Sequence, residues 1–370
     1  MATLVLAACN AATSATPTPG PTTPTASPTT STASPTTVPS ATAVGILPGE
    51  PWIVYLGPNN VGADCHPTVS FPAGCGPAGN RLVRIDGSGD FFASPEVPLV
   101  PGDVQAYADW SPDGMQIAFT VSDPDADGTL DLWIGDAGKA NATRVFDCEN
   151  PCDHAEHPAW APDGRSVAYA TWDIVNAKID GTRIDAIDLA TRATRTLARS
   201  AGTTQLNLPR WSPDARSLVV ELSTWSTTAL ENAKTGTAIA VIDLNSASPQ
   251  PRQLTDWAVS ATYPDWRPSG DLLVFSTRPW TDMATGPSNL YAIRPDGSGL
   301  TALTTFAEGE SRAVQPTWAP DGTKIIFTKV EGTGFGSPTL AIINADGTGL
   351  ASATGPVFTF GGHARLRPTT

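Results

Sequence analysis

Two clusters in this 370-residue chain have residue types and spacing suited to chemistry. The first is Asp123-Pro124-Asp125-Ala126-Asp127-Gly128-Thr129-Leu130-Asp131. Its D-x-D-x-D-G-x-x-D spacing wraps oxygen ligands round Ca²⁺, and Gly128 permits the sharp bend. Ile134 stands where a helical EF-hand needs its Glu, so an EF-hand is excluded and a structural calcium loop on Asp123, Asp125, Asp127 and Asp131 is the expectation. A solvated acidic turn is the alternative. The second cluster is Cys148-x₃-Cys152-Asp153-His154-x₂-His157. Together with Cys65 and Cys75 these cysteines form two short-range pairs, and disulfides Cys65–Cys75 and Cys148–Cys152 would each pin a loop in an oxidising compartment. A zinc site is the rival at the second pair, where thiolates and imidazoles stand close together. No Gly-x-Ser-x-Gly elbow and no Gly-rich phosphate loop is present, so catalysis is the minority expectation.

These residues are carried by a repeat. Asp109-Trp110-Ser111-Pro112-Asp113-Gly114 recurs as Ala159-Trp160-Ala161-Pro162-Asp163-Gly164, Arg210-Trp211-Ser212-Pro213-Asp214-Ala215, Asp265-Trp266-Arg267-Pro268-Ser269-Gly270 and Thr317-Trp318-Ala319-Pro320-Asp321-Gly322. The tryptophans step by 50, 51, 55 and 52 residues. An apolar run such as Gln116-Ile117-Ala118-Phe119-Thr120 follows each motif, so Pro-Asp-Gly is a tight turn between two strands. A third strand and a short fourth complete each unit. Four antiparallel strands repeated radially make a β-propeller.

The blade count comes from the chain ends. Ala364-Arg365-Leu366-Arg367-Pro368 repeats the motif with Leu366 in the Trp place, then stops before its second strand. Pro51-Trp52-Ile53-Val54-Tyr55 supplies that strand from the other end, so both ends share one blade and close a six-bladed, all-β ring over residues 48–370. The Trp-Ser-Pro-Asp-Gly core and the turns after the third strands resemble the TolB-type propeller repeat, related to the propellers of prolyl oligopeptidases. That resemblance implies a propeller in an exported protein, in a family of scaffolds, ligand binders and some enzymes. The Asp123–Asp131 loop likewise resembles calcium hairpins of other exported propellers.

Strand order puts the first-to-second and third-to-fourth turns on one face. Longer second-to-third loops and blade links collect on the other, with both cysteine pairs. Recognition is expected on that loop face. The residue three before each motif Trp position, Tyr107, His157, Leu208, Tyr263, Gln315 and His363, should ring the channel mouth there. Trp172, Trp225 and Trp280 in loops and Trp257 in a link are candidates to stack on sugars or grip peptide side chains. The alternatives are a solvated channel cap and loop packing. His157 and His363 could also pair as metal ligands in a metal-assisted polysaccharide lyase or hydrolase.

Ahead of the propeller, residues 1–49 carry no charged side chain, and residues 12–43 are almost wholly Thr, Pro, Ser and Ala. Such a tract buries too little apolar surface to offset its chain entropy. Residues 10–47 are therefore expected to be an extended spacer. Leu6-Ala7-Ala8-Cys9 resembles the lipobox of bacterial lipoproteins, so residues 1–9 read as a signal remnant and Cys9 as the lipid-bearing residue. Lys+Arg 22 against Asp+Glu 36 gives a net charge of −14, which argues against a nucleic-acid partner. The resulting expectation is a lipid-anchored extracytoplasmic module facing the periplasm or cell surface. It would bind an envelope or extracellular protein, a peptide or a glycan and touch the membrane only through its lipid. An enzyme or a structural part of a surface assembly are the alternatives.

Overall fold

The structure is a computed structural model describing residues 50–58, 78–84, 89, 91–92, 105–122, 129–139, 141–149, 152–175, 178–200, 204–225, 234–277, 287–332, 338–352 and 364–368. The described strands fall into six sets of four, numbered here as blade I, which is shared by both chain ends, and blades II (strands within Gln105–Phe146), III (Cys152–Arg199), IV (Thr204–Gln253), V (Ala261–Ala302) and VI (Ser311–Ser352). Blade I is built from both ends of the chain: Arg365–Leu366 pairs with Trp52–Pro58, which pairs with Ala78–Arg84 and then Phe91–Phe92. The register partners Ile53 and Leu366 thus join opposite ends of the described chain, as the motif count predicts. Blades II and III are linked into one eight-stranded sheet by a parallel bridge between Leu130 and His154.

Each turn of the repeat is wired by its own side chains. Ser111 Oγ donates to Asp113 Oδ1 at 2.6 Å and accepts from Gln116 N at 2.9 Å, while Gly114 N donates to Ser111 O at 2.8 Å. Ser212, Asp214, Ala215 and Ser217 repeat this pattern. Ala215 adopts the left-handed conformation of its glycine counterparts, φ 58° against 66° at Gly114. The lost glycine therefore leaves the turn intact at a cost of roughly 1–2 kcal/mol.

Second strands are buried on both faces, as in Gln116–Ser122, because each blade has a neighbour on either side. The apolar clusters accordingly lie between blades. One of them joins Val219 and Ile239 of blade IV to Trp266 and Phe275 of blade V. Burying roughly 150–250 Å² per motif tryptophan stabilises the ring by about 4–6 kcal/mol each before entropy is charged. The indole N–H groups also latch blades together: Trp110 Nε1 donates to Arg365 O at 3.0 Å, Trp211 Nε1 to Ala159 O at 3.2 Å and Trp266 Nε1 to Arg210 O at 3.1 Å.

Candidate functional site: the mouth of the central channel

Every inner strand of blades II to VI breaks register at the same place. The shifts fall between Ala106 and Asp109, Glu156 and Ala159, Asn207 and Arg210, Thr262 and Asp265, and Val314 and Thr317. The residue three before each tryptophan occupies the break in the left-handed region: Tyr107 at φ 55°, His157 at 54°, Leu208 at 50°, Tyr263 at 53° and Gln315 at 56°. A proline follows four of the five, removing a ladder donor just where the strand bulges. Such a conformation costs a non-glycine residue of order 1–3 kcal/mol and turns its side chain out of the normal alternation. The five bulges aim Tyr107, His157, Leu208, Tyr263 and, beside them, Gln315 toward the axis.

Beneath them the channel is plugged by charge. Arg210 Nη1 meets Asp109 Oδ1 at 2.8 Å, and its Nε lies 4.0 Å from Asp265 Oδ1. Arg365 Nη1 lies 3.5 Å from Asp265 Oδ2. The two carboxylates also fasten the next blade over: Asp109 Oδ2 accepts from Trp160 N at 2.9 Å, and Asp265 Oδ2 accepts from Trp318 N at 2.9 Å and Thr317 Oγ1 at 3.0 Å. Two cations and two anions cancel, and the cavity left among Tyr107, His157, Leu208, Arg210, Tyr263 and Arg365 is about 10 Å³, room for about one water. Among the described residues the axis at this level is filled by side chains and leaves only a water-sized space.

Its walls are polar but chiefly uncharged. The Tyr107 and His157 rings lie 4.1 Å apart at 40°. Burial, reinforced by Glu156 and Tyr263, raises the Tyr107 hydroxyl well above its usual range, and burial with Glu221 does the same to Tyr263, so both keep their protons. Tyr263 also hydrogen-bonds Gln315. Glu221 was not foreseen: it is 1% exposed, accepts from Thr262 Oγ1 and pairs with Lys234 at the edge of the mouth. The equivalent places in blades II, V and VI carry Thr120, Ser276 and Thr328, so the lone acid in that column was a readable signal.

Burial pushes the His157 imidazole down to about 3, helped by the positive charge of Arg210. The ring is neutral at physiological pH and serves as a hydrogen-bonding group. Above its ordinary value of 6.5 it is neutral both folded and unfolded; between 6.5 and about 3 the unfolded chain takes up a proton that the folded ring refuses, so stability falls with pH. We expect the protein to lose about 2–3 kcal/mol through this group by about pH 4.5, and His157→Gln to flatten that slope. Urea titrations from pH 7 to 4 check it, and equal slopes in both proteins refute it.

Other expected site residues are distributed differently. Trp172 belongs to the strand Ser166–Val175, not to a loop, is 8% exposed and packs 5.1 Å from the His154 ring. The sheet runs further into the second-to-third connection than expected. Trp257 opens the 3₁₀ turn Trp257–Val259 and packs on the apolar cluster between blades III and IV. Trp225 ends the strand Ser217–Trp225. Trp280, His363, Asp123, Asp125, Asp127, Cys9, Cys65 and Cys75 lie outside the described residues. Asp131 is fully buried, with Oδ1 accepting from Cys148 N at 2.8 Å and Oδ2 paired with Arg144 at 2.9 Å. Cys148 and Cys152 form the expected disulfide, with their Cα atoms 5.2 Å apart.

Fold and site together define a closed β-propeller with a plugged axis and a bulge-lined mouth. The chain belongs to the TolB β-propeller domain family, whose model matches residues 153–355. No curated protein matches the chain. Among solved structures, TolB from Acinetobacter baumannii is similar at 16% identity and a TM-score of 0.58, covering 86% of this chain and 66% of its own. Kuenenia stuttgartiensis hydrazine synthase aligns at 10% identity and a TM-score of 0.62, over 87% of this chain and 47% of that one. A structure of a nidogen/laminin complex aligns at 8% identity and a TM-score of 0.55, over 85% and 96%. At these identities the likeness is one of fold.

Proposed function

We infer that the protein is an exported binding module that receives an extended peptide segment of a partner protein at the loop-face mouth of its channel. The observation that carries this is the ring of left-handed bulges. It holds Tyr107, His157, Tyr263 and Gln315 at the mouth in a conformation costing strain at each position, over the charge cluster of Asp109, Arg210, Asp265 and Arg365. Hydroxyl, amide and neutral imidazole groups suit the N–H and C=O groups of a peptide backbone, and they need no charged ligand. The disulfide agrees with an oxidising, extracytoplasmic compartment, and Cys9 would supply the lipid anchor. An unmodified Met1 in the membrane fraction, read by mass spectrometry, overturns the anchor.

Pull-down from envelope extract tests the binding role. Tyr263→Ala and Gln315→Ala are each expected to reduce recovery of the captured protein by about tenfold or more, equivalent to roughly 1.4 kcal/mol or above. Unfolding midpoints should stay within a few degrees of the parent. Recovery unaffected by either substitution sinks the proposed site.

A further inference from the structure

On the opposite face the short, stereotyped turns promise little, yet blades IV and V leave a groove between them. In blades V and VI the third-to-fourth-strand turn closes on itself through Asp-Gly, with Arg294 N donating to Ser298 O and Asn344 N to Thr348 O, each at 2.9 Å. Blade IV has no glycine in residues 244–250, and its turn is held instead by its own polar groups: Asn245 N donates to Asp243 Oδ1 at 2.9 Å, Ser246 Oγ to Ser248 O at 3.2 Å, and Ser246 N to Asp243 O and Ser248 N to Ser246 Oγ, both at 3.3 Å. A cavity of about 560 Å³ lies there, lined by Ser217, Asp243, Ser248, Gln250, Trp266 and Pro295. A second of about 330 Å³ adjoins it through Ser217, Trp266 and Pro295. The larger one lies within the ~300–1,000 Å³ span of small-molecule sites, whereas the groove between blades II and III is about 250 Å³.

The lining selects a ligand class. Ser217, Ser248, Gln250 and Asp243 bring hydroxyl, amide and carboxylate groups to a lining that also contains the apolar Trp266, Val241 and Pro295. Closely spaced polar groups beside an aromatic and a proline match a sugar ring, which offers hydroxyls at its rim and C–H groups on its face. Charge narrows the choice. Asp214, Asp243 and Asp296 border the two cavities, and the one cation, Arg252, is committed to backbone, with Nη2 on Pro295 O at 2.6 Å and Nη1 on Asp296 O at 3.3 Å. An anionic sugar would meet repulsion there. We propose that this groove binds a short neutral oligosaccharide, at a site separate from the channel mouth.

Saturation-transfer NMR and calorimetry on the full chain test it, with maltotriose and triacetylchitotriose as neutral probes and trigalacturonate as the anionic comparator. At least one neutral probe is expected to bind with a Kd of about 1 mM or tighter, and trigalacturonate is not. Ser248→Trp, which fills the groove from an exposed turn, and Gln250→Ala are each expected to weaken binding about tenfold, with unfolding midpoints unchanged. Failure of both neutral probes to bind overturns the site. So does binding that ignores Ser248→Trp, equal binding of trigalacturonate, or displacement of the neutral probe by a tetralysine peptide.

Discussion

Arg367→Ala should destabilise the protein by about 3–5 kcal/mol, and removing residues 364–370 should abolish its cooperative unfolding transition. Arg367 is 1% exposed. Its Nε donates to Gly114 O at 2.6 Å, its Nη1 reaches Glu50 O at 3.4 Å, and its guanidinium lies 5.9 Å from the Trp110 ring. It therefore holds blade I against the first turn of blade II. The fit is close: a Cβ on Gly114, whose φ is +66°, would approach the Arg367 side chain to 2.8 Å. Truncating the guanidinium leaves a cavity and strands the carbonyls it satisfied. Arg367→Lys keeps the charge without the fork and should recover less than half of the loss. Urea denaturation reads all three, and a loss below about 1 kcal/mol for Arg367→Ala would falsify the latch.

Asp265→Ala should cost a similar 3–5 kcal/mol, through electrostatics at the axis. The carboxylate sits between Arg210 and Arg365 and fastens Trp318 N and Thr317 Oγ1 of blade VI. Arg365 is already held down to about 10, first by burial and then by the positive charge of Arg210. Removing an opposing charge leaves two guanidinium groups sharing Asp109 beside a cavity that holds about one water, too little to replace a carboxylate. Asp265→Asn preserves the two hydrogen bonds from blade VI and should cost less, about half as much. The Asn loss reads the charge and the difference from Ala reads the hydrogen bonds, so a loss below about 1 kcal/mol for Asp265→Asn refutes the charge account.

The turn and strand alternation, the shared blade and the column three before Trp110, Trp160, Trp211, Trp266 and Trp318 were legible because all of them recur at one period. Leu366 could be placed without its tryptophan since Arg365 and Pro368 kept the frame. The axial plug was not legible, because Asp109, Arg210, Asp265 and Arg365 become neighbours only once the ring has closed. The variable column before the tryptophans, reading Asp109, Ala159, Arg210, Asp265, Thr317 and Arg365, carried the hint in its mixed charges. Trp172 and Trp257 misled for a different reason. Aromatic residues in a connection look exposed when strand length is guessed, and here Ser166–Val175 runs past Trp172 while Trp257 folds back onto the core.

The shared blade also sets a timetable. Trp52–Pro58 must wait for Arg365–Leu366, and Ile53 and its partner Leu366 are separated by more than three hundred residues. Closing a loop of that length costs roughly 2.5–3 kcal/mol more than closing a hairpin of about fifteen. Ring closure is therefore expected to come late in folding and slowly, in keeping with the rates of folds dominated by long-range pairing. Until then Trp52–Pro58 is an open sheet edge, able to pair with another chain. The nascent protein is most exposed to mispairing in the interval between completion of blade VI and arrival of its own last strand.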